Sequence, residues 1–65
     1  MRPPIRKYIR ATIYFREGGF AEGFEVCIYS GFVIYFDDKG HERTVNIHMI
    51  DEVVNYTEEG GKEVK

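Results

Sequence analysis

Residues 32–56, FVIYF DDKG HERTVNI HMID EVVNY, limit what this chain can fold into more than any other stretch. Phe32, Val33, Ile34, Tyr35 and Phe36 form an apolar run too short for an ordinary helix. The run is aromatic and β-branched, which predicts a strand buried on both faces. Asp37, Asp38, Lys39 and Gly40 follow as a turn cluster, and Gly40 can take the φ > 0 position that a tight hairpin needs. In the return segment, Thr44, Asn46 and His48 alternate with Val45 and Ile47, so the two sets fall on opposite faces. His48, Met49, Ile50 and Asp51 break the alternation, and residues 52–56 restore it. A long hairpin, a one-turn break and a short last strand predict an all-β fold, a small five-stranded, strongly bent antiparallel barrel.

Upstream, the odd positions read Ile5, Lys7, Ile9, Ala11, Ile13, Phe15 and the even positions Arg6, Tyr8, Arg10, Thr12, Tyr14, Arg16. As one strand, this stretch has an Ile/Phe core stripe on one face and alternating arginine and tyrosine on the other. The alternative is a helical turn over residues 6–9 after Pro3 and Pro4, with strand only at 11–15. Glu17, Gly18 and Gly19 mark a turn, and residues 20–23 extend it as a loop or a bent, bulged strand. Phe24, Val26 and Ile28 are expected inward, Glu25, Cys27 and Tyr29 outward. Ser30 and Gly31 make a two-residue connection, and Gly23 and Gly31 are the expected points of sharp bending. Strands are therefore expected at 5–16, 23–29, 32–37, 42–48 and 52–57, with a short turn at 48–51. They form a single domain over 1–57, followed by a flexible polar tail at 58–65.

A 65-residue domain buries only about 60% of the surface of its unfolded chain and usually needs reinforcement. Cys27 is the only cysteine, so no disulfide forms within the chain, and His41 and His48 supply a zinc site poorly. Self-association is the remaining remedy, and ten aromatic residues agree with it. The net charge of −2 hides a polarity: residues 1–16 carry +5 and residues 17–65 carry −7. Such asymmetry points to a local anionic partner, or to the basic edge of one subunit meeting the acidic surface of another. No apolar run nears the roughly 20 residues of a membrane span, and no signal-peptide pattern opens the chain. With the lone cysteine, this points to the cytoplasm.

Thr12-Ile13-Tyr14-Phe15, a glycine turn, Gly23, then Phe32-Val33-Ile34 and finally HMIDEVV at 48–54 together resemble the Sm-like family, in pattern its bacterial Hfq branch. The resemblance covers roughly residues 11–56. It implies a closed homo-oligomeric ring, made by pairing the strand at 42–48 of one subunit with that at 52–57 of the next. It also implies that His48 contacts a bound uridine near the pore, that Phe32 stacks on the same base, and that Tyr14 lies on the opposite ring face, where purine-rich RNA runs. The chain departs from the pattern at Ile47, where the family has lysine, and at Ser30-Gly31, where it has Asp-Gln. The family's N-terminal helix is absent or cut to one turn.

Arginine and tyrosine in alternation suit single-stranded RNA, since the cation holds phosphate and the ring stacks an unpaired base. Arg10 and Arg16 are the expected phosphate contacts, Tyr14 and Phe32 the stacking rings, and His48 the reader of a base edge. The blander readings are a solvated edge strand for Arg10, Tyr14 and Arg16, a core position for Phe32, and a polar turn residue for His48. Catalysis is not expected. Cys27 and His48 are a weak nucleophile–base pair, while Asp37-Asp38 and Glu58-Glu59 sit in a turn and a tail. Gly18-Gly19 lacks the lysine and serine of a phosphate loop, and nothing calls for a cofactor. The expected function is an RNA-binding ring. Its rivals are an SH3-like protein-interaction module, such as a phage, plasmid or complex-associated adaptor, and a purely structural ring subunit.

Overall fold

The computed structural model describes residues 3–58 and 63–64. It contains strands β1 (Arg6–Phe15), β2 (Phe20–Ile28), β3 (Phe32–Phe36) and β4 (Glu42–Asn46), a 3₁₀ turn η1 (Ile47–Met49), strand β5 (Ile50–Glu58) and a two-residue strand β6 (Glu63–Val64). All pair antiparallel in a single sheet ordered β4-β3-β2-β1-β5-β6. The fold is all-β, as expected, and its hydrogen-bonded order is open, with β4 at one end and β6 at the other.

Several boundaries differ from the sequence reading. The N-terminal stretch is strand from Arg6, not a helical turn, and β1 lies between β2 and β5 rather than at an edge. Residues 20–23 belong to β2 rather than to a loop, because Tyr14 to Ala11 pair with Phe20 to Gly23 without interruption. β4 ends at Asn46, whose side chain accepts the His48 backbone N–H and so starts η1 before the expected break. Of the expected tail at 58–65, Glu58 closes β5 and Glu63–Val64 pair with Thr57 and Tyr56; the remainder lies outside the described residues.

Two hairpins share one turn design. At the β1–β2 turn the Gly18 N–H donates to the Phe15 carbonyl (3.0 Å) and the Phe15 N–H to the Gly19 carbonyl (3.1 Å). At the β3–β4 turn the Gly40 N–H donates to the Asp37 carbonyl (3.0 Å) and the Asp37 N–H to the His41 carbonyl (2.9 Å). Gly18 (φ 103°) and Gly40 (φ 81°) fill equivalent left-handed positions that a side chain would strain. The second turn has an added clasp. Asp37 Oδ1 accepts the backbone N–H groups of Lys39 and His41, both at 2.9 Å, and Oδ2 accepts Arg43 Nε at 3.1 Å. The His41 N–H bond, then those from Arg43 and Lys39, hold the Asp37 carboxyl below its usual value of 3.8.

The core consists of Tyr8, Ala11, Ile13, Val26, Val33, Tyr35 and Ile50. Its composition reveals a switch of face that simple alternation does not predict. Along β1, Tyr8 is inward, Ile9 and Arg10 are exposed, and Ala11 and Ile13 are inward again. Along β2, Gly23 is inward, and Val26 resumes the inward set. The β1–β2 register is unchanged across this point, so both strands change face together. Among the described residues, the two non-glycine residues with positive φ flank it: Glu25 (φ 50°) in β2 and Asn55 (φ 51°) in β5, where the pairing with β1 also shifts. The expected Ile/Phe stripe therefore divides. Ala11, Ile13 and Phe15 pack inward, but Ile5 is 67% and Ile9 46% exposed, while Tyr8 takes the core place and stacks on Tyr56 at 4.3 Å. Phe24, expected inward, pairs across from Arg10 on the outer side.

Gly23 serves close approach rather than a special φ. A Cβ there would lie 2.9 Å from Val26 Cγ2, 3.1 Å from Ile13 Cδ1 and 3.2 Å from Tyr35 Cδ2. Gly31 has nothing within 4 Å of such an atom, so only Gly23 is packed tightly. Gly23→Ala should cost about 1–3 kcal/mol, because Val26 is β-branched and cannot rotate away. A urea denaturation series, read as a lowered midpoint at constant slope, checks this. The Asp37 clasp carries a pH signature. Because its folded pKa is depressed, its contribution is complete above the unfolded value of 3.8 and disappears as pH falls through the lower folded value. Hydrogen-exchange protection of the His41 amide should therefore weaken in that acid window, and Asp37→Asn should remove the dependence.

Candidate nucleic-acid interface

Beyond the switch, the outward side of the β1–β2 hairpin presents three cross-strand pairs: Tyr14 with Phe20, Thr12 with Glu22, and Arg10 with Phe24. The short Gly18 turn sets this register. The Tyr14 and Phe20 rings lie 5.7 Å apart with a 40° tilt, and the residues are 38% and 63% exposed. Tilted pairs of this kind leave ring faces and edges open to another ring.

The polar pairs are committed within the sheet. Thr12, nearly buried, donates its hydroxyl to Glu22 Oε1 at 2.7 Å, and Arg10 Nε donates to Glu22 Oε2 at 3.3 Å. The Arg10 guanidinium carbon sits 5.6 Å from the Phe24 ring centroid. On the other flank of β1, β5 sets Glu52 beside Tyr14 and Val54 beside Thr12. The surface is thus a ring pair, then a carboxylate held by a hydroxyl and a guanidinium, then a third ring beneath the cation.

The other expected residues gather around η1. Phe32 is 39% exposed and its ring stacks on Tyr29 at 4.8 Å with an 18° interplanar angle. It pairs across from Asn46, the residue that caps η1. His48 lies within η1 and is exposed. η1 itself spans two strand ends: the Ile47 N–H donates to the Gly31 carbonyl (3.1 Å) and the Arg16 N–H to the Met49 carbonyl (3.0 Å). Hence the three-residue turn holding His48 is tied on one side next to Phe32 and on the other to Arg16 at the end of β1.

The five residues singled out from sequence therefore form two groups. Arg10 and Tyr14 share the outward face of β1, whereas Phe32 and His48 adjoin η1 and Arg16 bounds the far end of that turn. Sequence reasoning passed over Phe20, Glu22 and Tyr29. Counting outward from the Gly18-Gly19 turn places Phe20 opposite Tyr14 and Glu22 opposite Thr12, so that signal was present in the register. Among the described residues, no group of three or more His, Cys, Asp or Glu side chains is arranged to hold a metal ion. Among the described residues, no helix is long and apolar enough to cross a membrane.

No family model matches the chain, and comparison with curated proteins and with solved structures returned no match. The Thr12–Glu22 bond is a local test of this face. It joins a nearly buried hydroxyl to a part-exposed carboxylate, so Thr12→Val should cost about 1.5 kcal/mol, the lower end for bonds to charged groups. Paired denaturation curves of the Thr12→Val, Glu22→Gln and double variants measure the coupling directly.

Proposed function

We propose that this chain is an Sm-like subunit of a homo-oligomeric, cytoplasmic ring that binds single-stranded RNA by base stacking and phosphate contacts. The observation that carries the reading is the exposed Tyr14–Phe20 ring pair on the hairpin face that also carries Arg10, with Arg16 just beyond the end of β1. Stacking platforms beside cations suit unpaired bases, because every base offers a π-face while a duplex hides it. Phe32 and Tyr29 form a second platform, η1 is tied to Gly31 beside it, and in this reading His48 of η1 meets a base edge. Arg16 is the better phosphate ligand of the two arginines, since Arg10 already serves Glu22 and Phe24.

The sheet order supports assembly. β4 leaves one edge unpaired, and β6 covers β5 only at Tyr56 and Thr57, so the N-terminal part of β5 leaves another. In this reading the sheet bends strongly into a small barrel, and pairing β4 of one subunit with β5 of the next satisfies both edges and joins the subunits into a ring. The carboxylates Glu22 and Glu52 beside Tyr14 favour a second reading, an SH3-like module whose aromatic face holds a partner protein. In either reading the side chains bind and position; they do no covalent chemistry.

Fluorescence titration of a single-stranded oligonucleotide tests the first reading. In an oligomer of unchanged mass, Tyr14→Ala or Phe20→Ala should each weaken binding by about 1–3 kcal/mol. Affinity should also fall steeply with salt, as phosphate contacts release counterions. Unchanged affinity in both variants would remove this site, and salt-insensitive binding would favour the protein-partner reading.

A further inference from the structure

Below the switch the sheet turns a different surface outward. Ile5, just before β1, and Ile9 within it stand 67% and 46% exposed, with Lys7 between them on the same face. Lys7 pairs across with Cys27, and Cys27 with Ile34, so a half-buried apolar line continues this face across β2 and β3. A shallow cavity of about 240 Å³ opens here, lined by Lys7, Tyr8, Ile9 and Glu25. Lys7 and Glu25 line the same hollow from opposite strands, yet neither belongs to any of the ion pairs among the described residues. Glu25 also holds an unfavourable left-handed conformation, φ 50°, at this point.

We infer that this face is a two-fold interface for a second copy of the chain, with Lys7 of each copy meeting Glu25 of the other. The patch carries its own complement: an apolar centre at Ile5 and Ile9, flanked by a cation, Lys7, and an anion, Glu25, that have no ion-pair partner among the described residues. An isologous contact places every residue i against j and j against i, so these two charges are used twice, once on each side of the axis. Face-to-face packing of two such sheets removes the exposed isoleucines from water, and the charge pairs set the orientation. A nucleic acid is disfavoured here by Glu25 and by the lack of an exposed ring between Ile5 and Ile9. The interface is separate from the Tyr14–Phe20 face and does not depend on RNA binding. It doubles whatever the strand edges build, a ring into a pair of rings or a single subunit into a dimer.

Sedimentation velocity of the full chain over a concentration series tests it, comparing wild type with Lys7→Glu, Glu25→Lys and the double exchange, each checked for native circular dichroism. Wild type should show a heaviest species of twice the mass of the next. Either single reversal should stop at the half mass, with association weakened at least about tenfold by like charges facing across the axis. The double exchange restores opposite charges and should restore the doubled species. If Glu25→Lys fails to fold, Glu25→Gly substitutes for it, since glycine relaxes the positive φ while deleting the charge, and it too should lose the doubling. The inference is overturned if wild type never doubles, if the single variants associate as wild type does, or if the double exchange stays at half mass. Monomer and dimer alone would remove the ring while keeping this interface; a ring that never doubles would do the reverse.

Discussion

Everything in this molecule depends on the coordinated change of face at Ile9–Arg10. A strand of ten residues rises roughly 3.3 Å per residue, about 33 Å in all, against a longest dimension of 31 Å for the described molecule. A straight β1 would run the whole length of the protein with one face toward a core of seven residues, and much of that face would find nothing to cover it. The switch resolves the mismatch. It lets the first half of β1 contribute Tyr8 and the second half Ala11 and Ile13 to one core, while β2 follows in register. The flanking strands absorb the geometry at Glu25 and Asn55, one on each side of β1.

The same device explains what could and could not be read from the sequence. The all-β class, the hairpin around Gly40 and the break before the last strand were legible because each has a local cause: β-branched runs, a glycine in a left-handed turn position, an interrupted alternation. The face switch has no such signature. Its bend residues are a glutamate and an asparagine; asparagine tolerates positive φ, but glutamate gives no hint of it. Extrapolating a period of two through that point assigned Ile5 and Ile9 to the core and Tyr8 to the surface, and the structure places each on the opposite side. Gly23 was legible as special, but for another reason: Val26, Ile13 and Tyr35 close over it. For the site, Arg10 and Tyr14 were rightly placed on a common outward face, because both lie on one side of the switch. Phe20 was missed because residues 20–23 were left open between a loop and a bent, bulged strand, which hid the register.

The switch also divides the outer surface into two chemically distinct halves. Above it, the hairpin shows Tyr14, Phe20 and Phe24 with Arg10 and Glu22 paired at 3.3 Å, a surface of rings around a polar pair. Below it, Ile5 and Ile9 stand exposed beside Lys7 and Glu25, neither of which is in an ion pair among the described residues. A single flat sheet would have mixed these residues along one face. The change of face lets one ladder carry two chemically different surfaces along its length, and η1 ties the strand ends near Gly31 and Arg16 together.

Glu25 is where fold and surface meet. A glycine at that position would reach φ 50° without the steric cost that an L side chain carries, so the backbone alone does not call for glutamate. Burial does not call for it either, because the residue is exposed. What the side chain does is hold a carboxylate beside Ile9, in the hollow that Lys7 also lines. Strain of this kind is retained when the strained residue supplies something that its neighbours cannot, and here that is a charge at the rim of an apolar patch. For a 65-residue chain with a seven-residue core, covering Ile5 and Ile9 is the largest untapped source of apolar stabilisation on this face. A carboxylate at that rim makes the cover specific: it admits a partner that brings a cation to this position, and a second copy of the chain does so with Lys7.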